Sequence, residues 1–111
     1  MPSLRFAFIF GFILSVSAAN AAEANRDLWD RHCVGCHGSD GKGSTKMGRR
    51  LRIVDLTDPA TQAKFTDTEA FQAIRHGRKD ARGKITMLPV AGLSDEEIIR
   101  LVAFVRSLDD N

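Results

Sequence analysis

The chain has 111 residues, 16 of them basic and 14 acidic, so its net charge is only +2. That length suits one domain, and the near balance of charge gives little support to nucleic-acid binding. Two cysteines exclude the disulfide framework that staples many small exported domains.

The first residues do not read as part of a folded domain. Met1 to Arg5 carries one positive charge, and Phe6 to Val16 is apolar apart from Gly11 and Ser15. Small residues follow, and Ala19-Asn20-Ala21 fits an A-x-A cleavage site, so residues 1–21 are expected to be a secretory signal peptide. The apolar run is shorter than the ~20 residues of a spanning helix. Cleavage after Ala21 is therefore expected, with no stable membrane insertion afterwards, and residues 22–111 are the working domain. A domain of that size buries only about 60–65% of its unfolded surface and is marginal by itself.

A first helix is predicted from Glu23 to Val34, with Leu28 and Trp29 as its large apolar residues. Trp29 lies one turn before Cys33, so the two share a face, and Trp29 is expected to be core against another helix. The helix runs into Cys33-Val34-Gly35-Cys36-His37. That C-x-x-C-H order is the attachment pattern of a c-type haem. Each cysteine would add its sulfur across a vinyl group, and His37 would be carried under the iron as the proximal ligand. Three rival readings fare worse. A thioredoxin-like pair needs a βαβ setting, which is lacking. A zinc site usually needs four ligands, and the remaining histidines are only His32 and His76. A plain disulfide leaves His37 unexplained. A covalent haem would also supply apolar core that so small a domain lacks.

Gly38 to Arg52 is expected to be a loop, punctuated by Gly38, Gly41, Gly43 and Gly48. Gly41-Lys42-Gly43-Ser44-Thr45 fails the phosphate-loop pattern, because Gly43 stands where Ser or Thr should follow the lysine. Lys42, Lys46, Arg49, Arg50 and Arg52 form a run with no acid between Asp40 and Asp55. Such a run reads as a solvated face, as counter-charge to haem propionates, or as a docking surface for an acidic redox partner.

Asp58-Pro59 opens a short helix to Lys64, with Asp as N-cap and Pro at the first position. Thr66-Asp67-Thr68-Glu69 is a capping box, and its helix carries Ala70, Phe71 and Ile74 to a stop at Gly77. Arg78 to Thr86 reads as polar loop. Ser94-Asp95-Glu96-Glu97 is a second capping box, followed by Ile98, Leu101, Val102, Val105 and Leu108 at helical spacing. Ile99 and Phe104 widen that apolar face. No alternating strand pattern is present, so the fold class expected is all-α, with three main helices and long loops.

An iron held by His37 has a second axial position. Met47, Met87, His76 and His32 are the candidates, or the position stays open. His32 adjoins Cys33 on the proximal side. Met87 is favoured, because it lies in a loop stiffened by Pro89 two residues on, and a weak thioether ligand needs a rigid loop to hold it.

Taken together, Cys33-Val34-Gly35-Cys36-His37-Gly38, Met87 before Pro89, and the closing helix from Leu93 to Leu108 resemble a small monohaem class I cytochrome c, over nearly all of residues 22–111. The resemblance implies one covalent haem c, a periplasmic location, single-electron transfer with other redox proteins, and a monomer. It implies that the first and last helices cross through an aromatic on each, here Trp29 and Phe104. Two positions depart from the family. Asn25 stands where a glycine often lies at the crossing, and no proline lies between His37 and Pro59. The carbonyl that orients His37 is then expected near Lys46 or Met47. The leading reading is a soluble electron carrier with His37/Met87 ligation. Alternatives are a haem enzyme or small-ligand sensor with an open or labile distal site, and an electron-entry subunit of a larger oxidoreductase.

Overall fold

The structure, a computed structural model, describes residues 18–109 together with residues 3, 5 and 11. Most of the segment read as a signal peptide therefore lies outside the described residues. Among the described residues, no helix is long and apolar enough to cross a membrane.

The described residues form six helices and one small hairpin, in order α1 (Ala18–His32), α2 (Val34–His37), α3 (Lys46–Leu51), α4 (Pro59–Gln62), α5 (Asp67–His76), β1 (Arg78–Lys79), β2 (Ile85–Met87) and α6 (Asp95–Ser107). The three long helices are the three expected. α1 starts earlier than Glu23, because the alanine-rich residues before it favour helix, and it stops at His32, with Val34 passing into the next single turn. α5 and α6 each start on a complete capping box, Thr66 with Glu69 and Ser94 with Glu97. The backbone and side-chain bonds to Ser94 hold the Glu97 carboxyl below its ordinary range.

Three expectations need correction. The stretch 38–52 is not all loop, since Lys46–Leu51 forms α3 with Thr45 as its N-cap. Nor is 78–86 a loop. Arg78 pairs with Met87 and Lys79 with Ile85 in an antiparallel hairpin, with an irregularity between the pairs. Strands of two and three residues are too short to show alternation; what builds the hairpin is its turn. The Asp80 carboxylate accepts from the amides of Arg82 (2.9 Å) and Lys84 (3.0 Å). Ile99, finally, does not widen the buried face of α6. It is 59% exposed, whereas Ile98 and Leu101 are 0% exposed. At 100° per residue, Ile99 and Phe104 both sit roughly 110° from the centre of the face set by residues 98, 101, 102 and 105. Phe104 still joins the core, because α1 lies on its side.

That packing is the centre of the molecule. Trp29, 1% exposed, stacks against Phe104 with ring centroids 5.0 Å apart and planes tilted by 35°. The Arg26 guanidinium covers Phe104 at 5.7 Å. Leu28, Cys33, Leu56, Ile74, Leu93, Ile98, Leu101, Val102 and Val105 complete the buried cluster around the tryptophan.

A buried polar network, unforeseen in the sequence, ties the middle of the chain to α6. The Gln62 amide donates to the carbonyls of Leu56 (2.7 Å) and Val105 (2.8 Å). Arg106 donates to the Gln62 carbonyl (2.7 Å), to the Gln62 side-chain oxygen (2.9 Å), to the Phe65 carbonyl (2.8 Å) and to Asp67 (2.7 Å). Its guanidinium also lies over the Phe65 ring at 4.4 Å. Arg75 makes a parallel tie, donating to the Leu93 carbonyl at 2.7 Å and pairing with Asp95. Buried polar groups need such partners, and here they anchor the connecting segments.

Trp29→Ala is expected to cost about 3–5 kcal/mol, and Phe104→Ala less, because Phe104 is only half-buried. Urea denaturation of both single variants and the double variant should give a coupling of about 0.5–1.5 kcal/mol; strictly additive losses would show that the rings do not support one another.

Candidate haem site

α1 delivers the Cys33–His37 segment almost without a break. The Cys33 amide donates to the Trp29 carbonyl at 2.9 Å, and the His37 amide to the Cys33 carbonyl at 2.9 Å. The turn then ends at Gly38, whose φ of +81° suits glycine. The Trp29 indole N–H donates to the Gly38 carbonyl at 3.1 Å, and the Trp29 and His37 rings lie 5.6 Å apart. One side chain therefore contacts the closing helix, the histidine ring and the backbone just after it.

No disulfide joins the two cysteines; Cys33 is buried and Cys36 half-buried. Burial, and secondarily the neighbouring Cys36, pushes the Cys33 thiol up to about 12. Burial also pushes His37 below the ordinary imidazole range, which keeps the ring neutral with a lone pair free to bind a metal. The expected carbonyl near Lys46 or Met47 does not receive this histidine: His37 Nδ1 is buried and has no hydrogen-bond partner. The reason is visible in the chain. Lys46 is the first residue of α3, and that helix is docked on the motif through other groups.

Cys33, His37 and Met87 line one cavity of about 600 Å3, with Trp29, Leu56, Ile74, Leu101 and Val105 among its apolar walls. Met87 is not in a loop as expected but is the last residue of β2, paired with Arg78, where it is half-buried and packs against the core; the loop begins at Leu88. That loop is pinned to the end of α5 from two directions. The Val90 amide donates to the Ile74 carbonyl at 2.9 Å. Gly77, at φ +76°, comes so close that a Cβ there would lie 2.5 Å from the Met87 carbonyl oxygen and 3.0 Å from the Pro89 ring. Cys36 does not line the cavity itself but precedes His37, which does. The Cys33 sulfur, the neutral imidazole and the thioether around an apolar slot, with Cys36 beside them in the chain, suit a haem held by its edge and by its iron.

The other candidates are placed differently. Met47 is 41% exposed on α3 and does not line the cavity. His32 is exposed at the end of α1. His76 is exposed but contributes to the cavity wall. None of Lys42, Lys46, Arg49, Arg50 and Arg52 lines it. The cations that do are Lys64 and Arg78, which the sequence left unmarked. Lys64 is an isolated charge and Arg78 is one of several in the mixed stretch 75–84, and only the tertiary fold turns them toward the slot.

A family model described as Cytochrome c matches residues 22–109. Among solved structures, the chain is similar to the KustC0563 c-type cytochrome, with 31% identity, a TM-score of 0.67, and coverage of 78% of this chain and 98% of that one. A tyrosine-to-phenylalanine mutant of Kustc0563 gives 31% identity, a TM-score of 0.65, and coverage of 78% and 99%. No curated protein matches.

Gly77→Ala should be destabilising by roughly 1–3 kcal/mol from its backbone conformation alone, with the collision against Met87 and Pro89 added. Gly83, at φ +80°, has nothing within 4 Å of a Cβ, so Gly83→Ala carries the backbone cost without the collision. Chemical denaturation of the two variants should show the larger loss at Gly77; equal losses would mean that the Met87 loop yields freely.

Proposed function

We propose, from the premise that this chain belongs to the cytochrome c family and so carries a covalently bound haem c, that it is a periplasmic carrier of single electrons with His37 and Met87 as axial ligands. The observation that carries this reading is the cavity shared by Cys33, His37 and Met87. Cys33 and Cys36 would hold the ring through their sulfurs. The haem, when bound, supplies an iron that changes by one electron between its ferric and ferrous states.

The chain's own residues do the rest. Trp29 holds the Gly38 carbonyl and packs on the His37 ring. Gly77 and Pro89 hold the Met87 loop against α5. With both axial positions taken, substrate has no place at the iron, and little has to move when the charge changes. Lys64 and Arg78, on the cavity wall, would balance the haem propionates. Export rests on the charged, apolar and small-residue regions of residues 1–21. The partner would be another redox protein, met in brief encounters by a monomer.

Ligation is tested on the oxidised holoprotein. Met87→Ala should abolish the weak far-red sulfur-to-iron absorption band and lower the reduction potential, because Met ligation raises it. Met47→Ala should leave both unchanged. The reverse pattern would transfer the role to Met47, and ready binding of carbon monoxide by the unaltered protein would favour an open distal site.

Docking has its own test. All five basic residues of 42–52 are exposed, and none reaches the haem slot, so they are free to steer an acidic partner. Replacing Arg49, Arg50 and Arg52 with Glu should slow electron exchange with an acidic redox protein, most at low salt where screening is weak, while the potential stays put. Exchange kinetics indifferent to both the substitutions and ionic strength would remove this surface from the docking role.

A further inference from the structure

Thr45 lies outside the cavity, yet it is bonded directly to the backbone that carries His37. Its hydroxyl donates to the Cys36 carbonyl at 2.6 Å and accepts from the Gly48 amide at 2.8 Å. A hydroxyl has one proton and two lone pairs, so one group caps α3 and joins it to the haem motif. The contact is close on both sides: a Cβ on Gly48 would lie 2.7 Å from the same Cys36 oxygen and 2.1 Å from the Gly43 oxygen.

The peptides on either side of the His37 Cα are each held at both ends. In the first, the Cys36 carbonyl is taken by Thr45, and the His37 amide donates to Cys33 at 2.9 Å. In the second, the His37 carbonyl accepts from the Gly43 amide at 2.8 Å, and the Gly38 amide donates to Val34 at 2.9 Å. Two of these four bonds lie within the turn itself. The other two come from the 43–48 segment, and Thr45 supplies the only side chain among the four. The ring has no anchor of its own at Nδ1, although a metal-bound histidine is ordinarily oriented through its second nitrogen.

We propose that Thr45 is a positioning residue for His37, fixing the imidazole through the backbone by tying α3 to the Cys36 carbonyl. This rests on the reading of His37 as the axial ligand. The arrangement gives α3 the orienting task that a ring hydrogen bond would otherwise perform. Loss of the hydroxyl frees the Cys36–His37 peptide to tilt and carries the ring with it. Loss of bulk alone does not.

The test uses the holoprotein with Thr45→Val, which keeps the shape but not the hydroxyl, and Thr45→Ser, which keeps the hydroxyl. Thr45→Val should displace the midpoint potential and the paramagnetically shifted ring and β-proton resonances of the axial histidine. Thr45→Ser should restore both to the wild-type values. A merely structural role would lower the melting temperature and leave potential and resonances in place, and that result overturns the proposal, as does a serine variant displaced as far as the valine one. Should Thr45→Val fail to mature, hydrogen exchange on the wild-type protein decides. The Gly43 and Gly48 amides must be strongly protected, and free exchange at both refutes the tie. Absence of any shifted histidine resonance in the wild type would instead overturn the ligand assignment, and this inference with it.

Discussion

Trp29 is the contact on which the rest of the molecule depends. Its ring stacks on Phe104 of the last helix and lies beside His37, and its indole N–H ends on the Gly38 carbonyl. The first helix therefore cannot shift against the last without moving the haem motif. Burial of a ring this large supplies much of the local stability, and its single polar atom is satisfied on the backbone that follows the histidine. Stability and the geometry of the site are thus coupled through one side chain.

The connecting segments show the same economy. Little regular structure lies between Gly38 and Thr66, yet the stretch is tied down by polar groups. Gln62 and Arg106 link it to α6 at four oxygens: the carbonyls of Val105, Gln62 and Phe65 and the Gln62 side-chain oxygen. Thr45 and Gly43 link it to the haem motif. A cavity wall made of loops needs such ties, since a loop without them opens locally at low cost. On the far side of the slot, the Met87 loop is held by backbone contact with Gly77 instead.

Charge is divided by task. Among the described residues, four arginines are committed to ion pairs: Arg26 with Asp30, Arg31 with Asp27, Arg75 with Asp95 and Arg106 with Asp67. Lys64 and Arg78 face the cavity. The basic residues of 42–52 remain on the exposed surface beside the haem motif. A chain that is nearly neutral as a whole can in this way present a local positive field to a partner.

Much of this was legible in the sequence, where the signal is local. C-x-x-C-H is a contiguous motif whose chemistry follows from its order. The capping boxes at Thr66 and Ser94 set helix starts with side chains three residues apart. Trp29 and Phe104 stood out as large apolar residues on helices flanking the haem loops. Other features were decided only by tertiary contact. The hairpin 78–87 is too short for alternation to show, and α3 is a six-residue helix in a glycine-bearing stretch. Nothing local marks Gln62 and Arg106, because the carbonyls they bind across the fold lie tens of residues away. The same holds for His37: its sequence neighbours announce what it binds, but the lack of a partner at Nδ1 depends on where α3 docks. Short-range order in the chain determined the chemistry, because covalent spacing carries it. The orientation of that chemistry was left to the tertiary structure, because it arises from groups that meet only when the chain is folded.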